Sequence, residues 1–342
     1  MEKETILYNV ASEIDYNVIS NVLKNGGTVV FPTETVYGIG ANALDSRAID
    51  KIFVAKGRPN DNPLIVHIAS MDMLEEIAEN VDDVLLKLGD AFWPGPFTMV
   101  LKKKDILPDI TTGGLDTVAV RIPNHPIALK ILQESGLLIA APSANISGKP
   151  SPTKVSHVIE DLNGRVDIIV DGGDTGIGLE STVVDVTGDI VRILRPGAIT
   201  PDMIEDVTGL KVTQELIETD KPVSPGTRYA HYEPKAEFIV AYGSNEEIVS
   251  KICDKAKSFE GQKIGILATE ETKDLYNGID IEQLIVIGSR EKPEDIARNF
   301  FATLRQMDAL GVDVILGEAV EESGIGIAIM NRMIKACARN VM

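Results

Sequence analysis

The sequence predicts two α/β domains, a larger one built on a mixed sheet and a smaller one on a parallel sheet. Three observations lead there. The chain has 342 residues, more than a single hydrophobic core usually organises. Strand-like and helix-like apolar runs alternate irregularly up to about residue 205 and regularly from about residue 236. Between the two stretches, Pro222, Pro225, Gly226 and Pro234 interrupt every pattern. The expected division is therefore a domain over residues 1–205, a linker over 206–235 and a second domain over 236–342.

In the first stretch, the spacing of apolar residues predicts a helix over 13–24, ended by Gly26 and Gly27. A strand over 28–31 runs into Pro32. Ser46 is placed to cap a helix that Gly57 and Pro59 stop. Strands are expected over 64–68, 118–122 and 137–141, a helix over 153–162, and further strands over 166–170, 181–186 and 191–194. This order fits no simple doubly wound sheet, hence the mixed one. In the second stretch, strands over 238–241, 264–268, 284–287 and 314–316 alternate with helices over 244–259, 293–310 and 325–338. Pro293 sits where its missing N–H is harmless, and Gly311 follows the last periodic residue. Strand and helix in regular alternation predict a small parallel sheet of Rossmann-like shape.

Composition narrows the function. At 44% hydrophobic and 25% charged residues, the chain has the make-up of a soluble globular protein rather than a disordered one. No apolar run approaches a bilayer-spanning length. The segment Met1–Thr5 is charged and lacks the apolar core of a signal peptide, so a cytoplasmic location and no membrane partner are expected. Cys253 and Cys337 stand alone and far apart, which predicts small buried hydrophobes rather than zinc ligands. With 52 acidic against 33 basic residues the net charge is -19, so direct binding of nucleic acid is expected to be weak or absent. Any anion must then be held by a few well-placed cations.

Such cations stand at element ends. Lys56 and Arg58 flank Gly57 on a sharp turn after a helix, a point charge and a planar fork suited to polyphosphate, although cations also favour a helix C-terminus for electrostatic reasons. Arg121 ends an apolar strand and needs an anionic partner, which a substrate or a structural carboxylate would supply. His67 ends another strand in the same manner, as core histidines also do. The run Ala141-Pro142-Ser143-Ala144-Asn145-Ile146-Ser147-Gly148 gathers hydroxyl and amide groups after a strand, where α/β proteins tend to bind ligands. Glu180-Ser181-Thr182 precedes a strand and Arg195-Pro196-Gly197 follows one. No Walker-type phosphate loop occurs, and Gly324-Ile325-Gly326 lacks the full dinucleotide pattern.

Taken together, these segments resemble the YrdC-type threonylcarbamoyl-AMP synthases in their long form. The matching runs are Phe31–Gly38 (FPTETVYG), Lys56–His67 (KGRPNDNPLIVH), Phe92–Pro96 (FWPGP), Val118–Pro123 (VAVRIP), Ala141–Gly148 (APSANISG), Glu180–Val184 (ESTVV), Leu194–Gly197 (LRPG) and Ser224–Pro234 (SPGTRYAHYEP). Thr227 and Ala230 depart from the family pattern in the last of these. The resemblance implies a twisted mixed-sheet YrdC-like domain with a concave, positively charged cavity, and a C-terminal Rossmann-like domain. It implies L-threonine held by Thr35, His67, Arg121, Ala141 and Ser181. It implies ATP held by Arg58, Asn62, Thr117, Ser143, Ser151, Arg195 and His231, with Lys56, Arg58 and Asn145 in catalytic positions. Mg²⁺ is expected mainly on the ATP phosphates.

The implied reaction joins L-threonine, bicarbonate and ATP into threonylcarbamoyl-AMP and pyrophosphate, for N6-threonylcarbamoyladenosine in tRNA. A downstream tRNA threonylcarbamoyl transferase is the expected recipient. The linker, with His231, is expected to close over the site. An RNA-binding module is disfavoured by the net charge and by the lack of interleaved basic and aromatic residues. A carbamoyl-transferring maturation enzyme would carry zinc-finger cysteines, which are missing here. The presence of Lys56, Arg58, Asn145 and Ser181 argues against a nucleotide-binding module without catalysis.

Overall fold

A computed structural model describes residues 4–9, 13–214, 232–259 and 261–342. The chain forms two compact units. The second takes in the short segments Gly148–Ser151 and Ile177–Leu179 as well as the C-terminal part.

The strands of the first unit are β1 (Ile6–Tyr8), β2 (Val29–Phe31), β3 (Gly38–Asn42), β4 (Ile65–His67), β5 (Phe97–Lys102), β6 (Thr117–Arg121), β7 (Ile139–Ala140), β8 (Ile168–Val170), β9 (Thr182–Asp185), β10 (Val191–Arg195) and β11 (Val212–Thr213). They form one sheet in the order β1-β8-β2-β3-β7-β4-β6-β5-β9-β10-β11. Parallel and antiparallel pairs mix, as expected: β4 runs parallel to β6 and antiparallel to β7. The β5 strand runs antiparallel to β6 and parallel to β9.

Both faces of the sheet are covered. The helix Ser46–Lys56 packs Ile49, Ile52 and Phe53 into a core that includes Val66, Val120 and Met99. On the other side, Ile19 and Leu23 of Tyr16–Lys24 meet Ile131 and Leu132 of Pro126–Ser135 over Phe31 and Ile139. Gly40 makes this packing possible, because a β-carbon there would stand 2.7 Å from both the Phe31 ring and Ile139.

Several boundaries differ from expectation, each for a local reason. Asp45, not Ser46, caps the second helix, because its carboxylate accepts from the N–H groups of Arg47 and Ala48. The first unit also continues past residue 205. The helix Pro201–Thr208 follows its Thr200 cap, and β11 pairs with β10. The expected linker over 206–235 therefore begins inside this unit. Residues 215–231, which include Arg228, Tyr229 and His231, lie outside the described residues.

In the second unit, β12 (Glu237–Ala241), β13 (Ile264–Thr269), β14 (Gln283–Gly288) and β15 (Val314–Glu318) form an all-parallel sheet in the order β12-β15-β13-β14. Ser244 closes a capping box with Glu247 at the start of Asn245–Lys257. Gly311 ends Pro293–Leu310 in the left-handed conformation. Both cysteines are free, and Cys337 is buried. Among the described residues, no helix is long and apolar enough to cross a membrane.

A buried carboxylate stands at the end of β15. Glu318 accepts from Tyr276 at 2.7 Å and Thr272 at 2.5 Å on one oxygen, and from Arg290 at 2.8 Å and Thr269 at 2.9 Å on the other. Removing it leaves a guanidinium and three hydroxyls without their acceptor. Glu318→Ala should therefore lower stability by about 3 kcal/mol or more. Urea unfolding followed by far-ultraviolet circular dichroism checks this, and a midpoint equal to that of the unaltered protein would contradict it.

Candidate active site

Arg121 is the centre of the first group of polar residues. It ends β6, is buried, and carries its guanidinium into the protein. Its Nη1 donates to Thr35 Oγ1 at 3.0 Å and its Nε to the Gly95 carbonyl at 3.1 Å. Its Nη2 lies 2.6 Å from a carboxylate oxygen of Glu34. Thr35 and Glu34 sit on the loop leaving β2, four strands from β6 in the sheet order, roughly 19 Å at ordinary strand spacing. The loop lies across the sheet instead of turning back at its edge. It is braced internally: Thr33 Oγ1 donates to the Val36 carbonyl at 2.6 Å and accepts from the Val36 N–H at 3.2 Å.

The turn Trp93–Pro96 supplies the other side. The Gly95 N–H donates to the Ile122 carbonyl at 2.8 Å, so the turn is fastened to the end of β6 while its carbonyl meets Arg121. Only glycine fits here, since a β-carbon would come within 2.3 Å of the Phe92 carbonyl oxygen.

His67 lies next to Arg121, in register with it across β4 and β6. It is buried, its Nδ1 has no hydrogen-bond partner, and the edge of Phe31 faces it. Burial, and then the adjacent Arg121 charge, push its pKa down to about 3. The imidazole is neutral at physiological pH and suited to accepting or donating a hydrogen bond rather than carrying charge.

A second group surrounds Ser181. Its hydroxyl shares a hydrogen bond with Thr98 at 2.8 Å and accepts from Arg195 Nη2 at 3.0 Å, while Arg195 Nε donates to the Ser181 carbonyl at 3.0 Å. Thr98 precedes Met99, whose partner is Val120, so Thr98 lies beside Arg121 on the neighbouring strand. The turn after Arg195 approaches closely enough that a β-carbon on Gly197 would stand 2.3 Å from the Thr182 nitrogen.

A third group forms around Lys56, which is buried at the end of its helix. Its ammonium donates to the carbonyls of Ser143 at 2.5 Å and Asn145 at 2.7 Å. A longer contact of 3.4 Å reaches Asn145 Oδ1, which also accepts from the Ser143 hydroxyl at 2.6 Å. This loop is bound in turn to the Thr35 segment, because the Ala144 N–H donates to the Tyr37 carbonyl at 2.8 Å. Lysine thus fixes the backbone of the 143–145 loop as well as contributing positive charge.

The other residues expected from the sequence fall as follows. Ala141 follows β7, and its N–H donates to the Ile65 carbonyl. Arg58 and Asn62 lie on the loop after Lys56. Arg58 donates to the Pro63 carbonyl at 3.3 Å, and Asn62 is buried with no donor to its side-chain oxygen. Thr117 is not drawn into these groups. It opens β6 opposite Lys102, about 13 Å along the strand from Arg121, beside a hollow of about 380 Å³ lined by Lys102 and Asp116. Ser151 is buried and belongs to the second unit. His231 lies outside the described residues.

A Sua5–YciO–YrdC family model, described as telomere recombination, matches residues 21–197, and a threonylcarbamoyl-AMP synthase C-terminal domain model matches residues 199–338. The threonylcarbamoyl-AMP synthase of Pyrococcus abyssi is 46% identical over 99% of both chains. The chain belongs to the threonylcarbamoyl-AMP synthase family. Its membership extends through the C-terminal domain: the Bacillus subtilis threonylcarbamoyl-AMP synthase is 46% identical over 94% of this chain and 92% of its own. The crystal structure of P. abyssi Sua5 complexed with L-threonine superposes with a TM-score of 0.92, covering 99% of each chain. As a synthase of this family the protein is a transferase that makes an adenylate intermediate.

Glu34, Thr33, Gly95 and Thr98 were not singled out from the sequence. Glu34 and Thr33 lie inside the matched FPTETVYG run, and Gly95 inside FWPGP, so these were visible as motif members. Thr98 had a fainter signal, a lone hydroxyl within the apolar run Phe97–Leu101.

The lowered pKa of His67 has a consequence for stability. The unfolded chain binds a proton at this residue below about pH 6.5, whereas the folded chain binds it only near pH 3. Stability from this residue is present above pH 6.5 and is lost as pH falls towards 3. Between pH 7 and pH 5, His67→Gln should lose about 2 kcal/mol less stability than the unaltered protein. Urea titrations at both values measure this, and identical pH dependence in the two proteins would contradict it.

Proposed function

We infer that the protein joins L-threonine, bicarbonate and ATP to give threonylcarbamoyl-AMP, pyrophosphate and water. The observation that carries this reading is the buried Arg121, held with Thr35 and beside neutral His67, in a chain whose full length matches synthases of that name. The guanidinium suits the threonine carboxylate. Thr35 and Ser181 are buried hydroxyls placed to read the substrate hydroxyl, and a site built on such groups discriminates strongly against an amino acid that lacks it.

Threonine's amine and bicarbonate first yield a carbamate with loss of water. A carbamate oxygen then attacks the α-phosphorus of ATP. The bond from that phosphorus to the bridging oxygen breaks, and pyrophosphate leaves with the electron pair. Two anions must be brought together for this, so fixed positive charge and positioning are what the protein has to supply. Arg195, Arg58 and Lys56 supply the charge. The 143–145 loop, held by the Lys56 ammonium, offers Ser143 and Asn145 to the phosphates. By resemblance alone, Asn62, Thr117, Ser143, Ser151, Arg195 and His231 complete the expected nucleotide contacts.

Among the described residues, no three His, Cys, Asp or Glu side chains cluster as a metal site, so the donor set suits a Mg²⁺ ion carried mainly by the ATP phosphates. Such an ion would supply further neutralisation of phosphate charge. A cytoplasmic location, weak or absent direct tRNA binding and delivery to a downstream tRNA threonylcarbamoyl transferase complete the proposal.

The test is pyrophosphate release in the presence of ATP, Mg²⁺ and bicarbonate with each amino acid in turn. Release should depend on both bicarbonate and L-threonine, with L-valine and L-serine poor substitutes. Arg121→Ala and Lys56→Ala should each reduce the rate about 100-fold or more. A near-normal rate in either variant removes that residue from the mechanism, and release independent of threonine overturns the proposed reaction.

A further inference from the structure

The geometry points to Glu34 as the residue that receives the α-amino group of the amino-acid substrate, opposite Arg121, which receives its carboxylate. This rests on the reading of the Arg121 group as the amino-acid site.

The molecule holds two buried arginine–glutamate pairs that can be compared. In the second unit, the carboxylate of Glu318 is saturated, with two donors on one oxygen and three on the other. A carboxylate kept for structure is finished in this way, because an unsatisfied buried oxygen is costly. Glu34 is built differently. Both its oxygens are out of solvent, and neither accepts a hydrogen bond. It approaches Arg121 Nη2 at 2.6 Å, yet that nitrogen also lacks a properly aligned acceptor. The side chains are nearly buried, at 5% and 13% exposure. The pair is therefore in ionic contact, with one cation short of an acceptor and one carboxylate short of donors.

An α-amino acid supplies both missing parts. Its carboxylate gives aligned acceptors to Arg121, and its ammonium gives three donors to Glu34. The amino nitrogen and the nearer carboxylate oxygen lie about 3 Å apart, from the bond lengths around the α-carbon. That separation is close to the 2.6 Å between the two protein groups, so the zwitterion can lie alongside the pair, its carboxylate on Arg121 and its ammonium on Glu34. The surrounding frame favours selective binding. Thr35 and Gly95 hold the guanidinium from the other side, and the Thr33–Val36 turn holds the backbone that carries Glu34. Neutral His67 adds no competing charge. A ligand with the carboxylate alone would leave Glu34 facing a second anion, which gives discrimination by charge as well as by lost hydrogen bonds. Once the amine has become a carbamate, its remaining N–H can still donate to the same carboxylate.

The experiment is calorimetric binding of L-threonine and of its deaminated analogue, 2,3-dihydroxybutanoate, to the full-length protein and to Glu34→Gln and Glu34→Asp. Thermal melts establish that each variant is folded. The unaltered protein should bind threonine at least about 30-fold more tightly than the analogue. Glu34→Gln should lose most of that ratio by weakening threonine alone. Glu34→Asp should retain an intermediate ratio, and it carries the test if the glutamine variant does not fold. Three outcomes overturn the assignment. One is Glu34→Gln binding threonine as tightly as the unaltered protein or more tightly, which makes Glu34 a stand-in that the substrate carboxylate displaces. Another is an equal loss for both ligands, which marks general damage to Arg121. The third is an unchanged ratio in Glu34→Asp. The pyrophosphate assay separates this from the proposed reaction. Threonine-dependent release with no Glu34 effect sinks only the present assignment, whereas Glu34-dependent amino-acid binding without release sinks only the proposed reaction.

Discussion

Burying the Arg121 guanidinium is the constraint around which the first unit is arranged. A charge placed at the end of an interior strand must be surrounded by oxygen, and no single neighbouring element can provide enough. The protein draws on two sources far apart in the fold. A loop from β2 crosses the sheet with Thr35 and Glu34, and the turn before β5 presents the Gly95 carbonyl. That turn is fixed to the end of β6 by the Gly95–Ile122 hydrogen bond, and β5 then carries Thr98 to Ser181 and Arg195. Thr35, Glu34 and Gly95 are in this sense what keeps one cation inside.

The same logic extends to other cations in this protein of net charge -19. Three of them lie inside, away from the surface where salt would screen them. Lys56, Arg121 and Arg195 are all buried, each held by backbone carbonyls as well as side-chain oxygens. Carbonyl dipoles position a cation without cancelling its charge, whereas Arg121 also has the Glu34 carboxylate 2.6 Å away. His67 contributes by staying neutral beside Arg121 and leaves the charge balance there to arginine and its carboxylate partner.

Much of this was legible in the sequence. The second unit was read almost completely, because each of its strands and helices has its own period and its own stop, such as Pro293 and Gly311. In the first unit, β3 was hidden by its glycines in GIGAN, whereas β7 lies within the strand expected over 137–141. The helix Pro126–Ser135 begins at a proline that reads from sequence as part of a turn. Of the residues singled out from the sequence, the structure brings Arg121 together with Thr35 and His67, Ser181 with Arg195, and Lys56 with Asn145. The partnership of Glu34 with Arg121 was not foreseeable, because nothing local links a loop residue to a strand end 87 positions later. Thr117 shows the converse: proximity in sequence to Arg121 places it at the opposite end of the same strand.

The bonds that join the site are also long in sequence. Arg121 and Thr35 are separated by 86 residues, and Lys56 and Ser143 by 87. Contacts of this kind form only after most of the intervening chain has been ordered, since closing large loops carries an entropic cost that local structure does not recover. During synthesis on the ribosome, the Ser181 group cannot close before Arg195 has been made, because Arg195 supplies donors to Ser181.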